Sequence, residues 1–178
     1  MMNLDRRLLM KLVKYDPDNG DFVRVAKLSF QHKIIKCVEF RPKSITPYGY
    51  LQINILGRPY PIHRLIFLYM KGRLPKRDVD HKNGNRLDNR WCNLREVSRG
   101  TNLKNIGLRT TNTTGHIGVH LRKDTNKYHS YINHRGKKHS LGDYETFAAA
   151  VKARRAAEIK FGFHRNHGRR KAWNKNQN

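Results

Sequence analysis

Val79-Asp80-His81-Lys82-Asn83-Gly84-Asn85-Arg86-Leu87-Asp88-Asn89-Arg90 concentrates more potential chemistry than any other stretch of the chain. Val79 to His81 reads as a brief strand, and Lys82 to Trp91 as a polar loop. Asn93-Leu94-Arg95-Glu96-Val97 reads as a second short strand. Ser98 can cap a short helix running to about Asn105. Adjacent residues on a strand point to opposite faces, so Asp80 and His81 can do different jobs. Asn93 follows His81 by 12 residues, and Asn102 follows Asn93 by 9. A strand–loop–strand–helix path can bring all four together. A histidine that is neutral near pH 7 suits activation of water. Oxygen donors such as Asp80 and an Asn carbonyl suit Mg2+ or Mn2+ better than zinc.

The surrounding composition narrows the classes. The chain has 178 residues and a formal charge of +25, from 38 Lys and Arg against 13 Asp and Glu. Residues 1–102 carry 21 basic and 9 acidic side chains, and residues 103–178 carry 17 and 4. The excess is therefore spread along the chain and points to an extended contact with a polyanion. The longest apolar run, Leu65 to Met70, is far short of the ~20 residues that span a bilayer. Charged residues interrupt the N-terminus and argue against a secretory signal. Two cysteines cannot build a multi-bridge framework. A cytoplasmic protein facing nucleic acid, with no membrane role, is the expectation.

The quoted stretch, with Asn93-Leu94-Arg95, Asn102 and the upstream Ile62-His63-Arg64-Leu65, resembles the HNH nuclease motif, closest to its phage homing-endonuclease branch. The resemblance covers roughly residues 48–105. It implies a ββα-metal module with His81 as general base, Asp80 and Asn102 as ligands of one divalent ion, Mg2+ or Mn2+, and Asn93 fixing the loop and orienting His81. A metal-free finger stabilised by an Asp-His pair is the structural alternative. His63 can either touch phosphate or be held by backbone. Asn83, Asn85, Asp88 and Asn89 read mostly as turn residues, with Asp88 pairing Arg90 or Arg86.

A second module follows. Gly118 to Arg122, Tyr128 to His134 and Lys137 to Leu141 read as three antiparallel strands, and Tyr144 to Phe161 as a helix. Alternation sends Val119, Leu121, Ser130, Ile132 and Leu141 toward the helix. His120, Arg122, His129, Tyr131, Asn133, Lys138 and Ser140 fall outward, on a basic, aromatic face able to enter a DNA major groove. An ordinary solvated face is the alternative. Gly118-Val119, Lys127-Tyr128, Ile132, Leu141-Gly142-Asp143-Tyr144 and the Ala-rich helix resemble the AP2 DNA-binding domain. Tyr128 replaces that family's usual tryptophan, and His120, Tyr131 and Asn133 stand where reading arginines are usual. Its base specificity therefore does not carry over. The DNA-binding set expected is His120, Arg122, Tyr131, Asn133, Lys138 and Ser140. Lys152, Arg154, Arg155 and Lys160 read as a solvated helix face open to phosphate contacts.

The expected architecture is α+β: an N-terminal β-rich segment (1–47), a nuclease module (48–105), an Asn-rich linker (106–114), an AP2-like module (115–163) and a basic flexible tail (164–178). The expected partner is double-stranded DNA, bound by a monomer with no obligate protein partner. The expected activity is DNA phosphodiester hydrolysis. A DNA-binding regulator with an inactive nuclease scaffold and a structural RNA-binding protein are the rival readings.

Overall fold

The computed structural model describes residues 4–29, 33–109 and 111–169. It is a mixed α/β chain with small antiparallel sheets and four α-helices among the described residues. Two compact units divide between Ser98 and Arg99.

In the first unit, α1 (Arg6–Leu12) is capped by Asp5, whose side chain accepts from the Leu8 N–H. It runs into a sheet of order β1-β2-β3, with β1 Val13–Tyr15, β2 Phe22–Leu28 and β3 Ile34–Phe40. The hairpin β4 (Gln52–Ile55) and β5 (Arg58–Pro61) leads directly into α2 (Ile62–Lys71). Ile62, Leu65, Ile66 and Phe67 form the buried stripe of α2, and Gly72 ends it in the left-handed region. One core joins Leu9, Leu12, Tyr15 and Phe22 to Ile55, Leu65, Val79 and Leu94. Buried residues between 9 and 26 thus share one core with buried residues between 53 and 94.

β6 (Asp78–His81) pairs with β7 (Leu94–Val97), which follows a 3-10 turn at Trp91–Asn93. The turn after β1 is packed beneath the intervening loop. The Trp91 N–H donates to Pro17 O at 2.9 Å, and the Tyr15 hydroxyl donates to Asn89 O at 2.8 Å. Gly20 has φ +83°, and a Cβ there would lie 2.7 Å from the Arg90 nitrogen. Only glycine permits that approach.

The second unit begins with α3 (Arg99–Leu103) and contains β8 (Val119–Leu121), β9 (Tyr128–His134), β10 (Lys137–Tyr144) and α4 (Phe147–Lys160). β9 is central, both its neighbours are antiparallel, and Ile132, Ser130, Val119 and Ala150 are fully or almost fully buried. Several expectations need correction. Tyr144 ends β10, and the helix starts at Phe147 after the Thr146 cap, whose hydroxyl accepts from the Ala149 N–H. A register shift between Ser140 and Gly142 breaks the alternation of β10, leaving Leu141 only half-buried. Leu121, expected to face inward, is 44% exposed.

Arg154 departs most from its expected solvated place, with only 2% exposure. Its Nη1 donates to Tyr131 O at 2.6 Å and its Nε to Glu158 Oε1 at 2.9 Å. Its Nη2 meets His167 Nε2 at 3.2 Å. Gly118, at φ +75°, makes room for this, since a Cβ would fall 2.8 Å from Arg154 Nη1 and 2.4 Å from Tyr131 O. Residues 164–169, expected to begin a flexible tail, are tied in place. The His164 N–H donates to Lys104 O, the Gly168 N–H to Ile106 O, and the Leu108 N–H to Arg169 O. These bonds also engage residues 106 and 108 of the expected linker. The remainder of the expected tail, 170–178, lies outside the described residues.

Arg154→Met keeps most of the volume but strands Glu158 and a strand carbonyl in a dry site. Chemical denaturation should show a loss of about 3–5 kcal/mol for the second unit.

Candidate nuclease site

The site is built where β6 ends. Antiparallel pairing sets Asp80 opposite Arg95 and His81 opposite Leu94. Cross-strand neighbours meet on one face, and both Nε and Nη2 of Arg95 donate to Asp80 Oδ2, at 2.9 and 2.7 Å. Asp80 is 5% exposed, so the guanidinium orients a carboxylate largely removed from water. The motif reading quoted Arg95 without giving it a role. The register of the two strands was the signal that could have found it.

His81 points the other way into a small ring cluster. It is 3% exposed, and its Nε2 lies 3.4 Å from Asn89 Oδ1. In the tautomer in which the Asn89 amide oxygen accepts, Nε2 carries the hydrogen and Nδ1 holds the basic lone pair. The His63 ring meets His81 edge-on at 5.4 Å, and Tyr50 lies 4.5 Å from His63 and 5.8 Å from His81. The Arg86 guanidinium sits 4.8 Å over the Tyr50 ring. Burial is the main cause that lowers the pKa of His81, opposed by the Asn89 hydrogen bond and Asp80. Burial, with His81, Arg64 and Arg86 nearby, lowers that of His63 to about 3. Both rings are therefore neutral near pH 7.

The loop after His81 is fastened by its own polar side chains. Asn93 Oδ1 accepts from the Asn83 N–H at 3.0 Å, and its Nδ2 donates to Asp88 O at 2.8 Å. Asp88 takes two bonds from Arg90 and one from the Asn83 amide, which hold its carboxyl below the usual range. Asn89 reads as a turn residue in the sequence, yet it is 4% exposed and touches His81. Tyr15 is the further residue that sequence reasoning missed. Its hydroxyl comes from 74 positions away to hold the Asn89 carbonyl, and burial raises its pKa.

Asp80, His81 and Asn93 are thus brought together within the first unit. Asn102 lies on α3, which clusters with the second. Among the described residues no group of three or more His, Cys, Asp or Glu could hold a metal. The donor chemistry is one buried carboxylate beside a neutral imidazole. That set does not fit a structural zinc. It fits a hard cation such as Mg2+, which keeps several waters and takes one or two protein oxygens together with substrate phosphate.

In the second unit, the sheet face opposite α4 carries His120 and His129 5.2 Å apart, His129 and Tyr131 stacked at 6.2 Å, and Lys138 Nζ 4.2 Å over Tyr131. Asn133 and Ser140 are exposed. Arg122 is held by Asp124 at 2.7 Å and Asp143 at 3.3 Å, and Asp143 also meets His129 Nδ1 at 2.6 Å. No helix among the described residues is long and apolar enough to cross a membrane.

Residues 60–104 match the family model for HNH endonucleases. The matched span begins at Tyr60, just before His63, and runs through Asp80, His81, Asn93 and Asn102. It supports a nuclease and, with it, DNA as the substrate. No curated protein and no solved structure matches the chain.

Two outcomes follow from the geometry of the candidate site. Tyr15→Phe removes a buried donor and should lower the urea midpoint by the equivalent of about 1–2 kcal/mol, with the His81 ring resonances shifting by NMR. The folded His63 pKa lies below its unfolded value near 6.5, so its contribution to stability is complete above pH 6.5. That contribution falls away as the pH drops toward 3. The loss should be about 1.4 kcal/mol per pH unit, and His63→Phe should flatten the urea-midpoint profile between pH 6.5 and 5 by that share.

Proposed function

We propose that the chain is a metal-dependent DNA endonuclease of the HNH type, and a phage homing endonuclease in particular. The observation that carries this reading is the buried Asp80-His81 pair on β6, oriented by Arg95 and Asn89 inside the matched span. His81, neutral and hydrogen-bonded at Nε2, accepts a proton from water at Nδ1. The water oxygen bonds to phosphorus, the P–O3′ bond breaks, and solvent returns a proton to the leaving oxygen. The ends are a 5′-phosphate and a 3′-hydroxyl. Asp80 and Asn102 are the residues that would hold a divalent ion, Mg2+ or Mn2+. When bound, such an ion stabilises negative charge on the phosphate and the leaving oxygen. Asn93 keeps the loop closed so that the base stays aligned.

The second unit serves as an AP2-like reader in this proposal. The aromatic and basic sheet face supports this role, and the excess of positive charge supports phosphate contact along the duplex. His120, Tyr131, Asn133, Lys138 and Ser140 meet the groove, with Arg122 at its edge. The protein acts as a monomer in the cytoplasm of a bacterial host, making one cut per binding event.

His81→Ala should lower cleavage of supercoiled plasmid in Mg2+ by about 10²–10⁴-fold while gel-shift affinity stays within a few fold. Asp80→Asn should also abolish cleavage. Unchanged cleavage in His81→Ala would refute the assignment. Tight DNA binding by a wild-type protein that never cuts would favour the regulator with an inactive scaffold.

A further inference from the structure

We propose that His63 is a second functional imidazole of this site, donating a ring N–H to a non-bridging oxygen of the scissile phosphate as charge builds there. The proposal deepens the endonuclease reading and rests on it.

Three observations support the assignment. First, His63 is 7% exposed, and none of the described residues makes a hydrogen bond to its ring nitrogens. Neither ring nitrogen is among the fully buried side-chain atoms that lack a partner, so the ring keeps an edge open to an incoming group. A substrate oxygen can accept from the ring N–H there. His63 also keeps more exposure than the His81 ring beside it, at 3%.

Second, the separation suits the chemistry. A water bound to a base lies about 3 Å from it, and attack on phosphorus begins from about 3–3.5 Å. The phosphorus then sits on the order of 5–6 Å from the basic nitrogen of His81. The His63 ring centre is 5.4 Å from that of His81 and edge-on to it, so both rings can address one phosphate from different sides.

Third, the surroundings favour a neutral donor next to an anion. Burial and the neighbouring His81, Arg64 and Arg86 keep His63 uncharged. It occupies the first turn of the ten-residue helix α2, where the helix dipole favours negative charge. Tyr50 packs against the ring at 4.5 Å, and the Arg86 guanidinium lies 4.8 Å over the Tyr50 ring, which restricts the direction the imidazole can face. A fixed N–H aimed at a site of growing charge stabilises the transition state more than the ground state.

The test compares wild type, His63→Phe, His63→Gln and His81→Ala in steady-state plasmid cleavage with Mg2+, alongside thermal melts. His63→Phe keeps the ring packing and removes the donor. It should lower kcat by about 10²–10³-fold with KM within a few fold and no fall in Tm. His63→Gln restores an N–H and should recover at least tenfold of that loss. If His63→Phe keeps kcat within threefold of wild type, or if His63→Gln is no better than His63→Phe, His63 is a packing residue and the proposal is overturned. Should His63→Phe melt below the assay temperature, His63→Gln against His63→Leu gives the same comparison. A wild type that does not cleave, or a fully active His81→Ala, removes the endonuclease reading and this proposal together. A normal wild type and a dead His81→Ala beside an active His63→Phe remove this proposal alone.

Discussion

The loop between β6 and β7 has to be held shut, and the geometry around Asp80 and His81 depends on that closure. The loop is almost wholly polar, with Leu87 half-exposed and Trp91 its main packed side chain, on Phe67 at 5.0 Å. Hydrophobic burial therefore cannot define its path. Hydrogen bonds do so instead. Asn93 binds both ends of the loop, Asp88 gathers Asn83 and Arg90, and the 15–20 turn supplies Tyr15, the Pro17 carbonyl and the clearance at Gly20. A loop fixed in this way costs backbone entropy. The first unit offsets that cost by packing α1 and β1 into the same core as α2. The N-terminal segment is accordingly the floor on which the loop is laid.

The scarce acids have a related logic. In a chain with 13 acids against 38 bases, many of the acids are committed to internal order. Asp80 takes Arg95, Asp88 takes Arg90, and Glu96 takes Arg73 and the backbone N–H groups of Lys76 and Arg77, which lower its pKa to about 2. Each of these carboxylates bridges segments separated in sequence or pins a turn. The unbalanced bases give the chain an attraction for phosphate that salt will screen. Under the proposed function, cleavage chemistry resides in two imidazoles that burial keeps uncharged. Attraction and chemistry thus rest on different residues with opposite protonation requirements.

What was legible in the sequence follows from the range of the interaction involved. The strands β6 and β7 and the β8–β9–β10 order come from local periodicity and turn residues, and all were readable. Asp80 and His81 were readable because their spacing to Asn93 is itself the motif. Tyr15 and Arg95 were given no role and Asn89 only that of a turn residue, since each acts through a partner that only tertiary pairing supplies. Arg154 sits amid the basic residues of α4 and looks solvated by composition. Only the carbonyl of Tyr131, Glu158 and His167 together make its burial affordable. Leu141 failed for a different reason. Strict alternation assumes an unbroken ladder, and Leu141 is the residue inserted at the shift between Ser140 and Gly142. Leu121 is the last residue of β8, where the strand ends at the surface.

The outer sheet face of the second unit gains meaning from the same accounting. Arg122 looks like a natural phosphate or guanine ligand in sequence, yet Asp124 and Asp143 flank it, and Asp143 also takes His129. A guanidinium held between two carboxylates is oriented but partly neutralised, so it approaches DNA at a discount. Lys138, stacked on Tyr131, and the exposed Asn133 have no such carboxylate clamp. Under the proposed function this shifts base reading from bidentate arginine toward an amide, which suits adenine, and toward aromatic and histidine surfaces that pack on thymine methyl groups or sugars. Under the same proposal His120, Tyr131 and Asn133 form one aromatic and amide reading surface, with Asp143 and Asp124 holding Arg122 back from it.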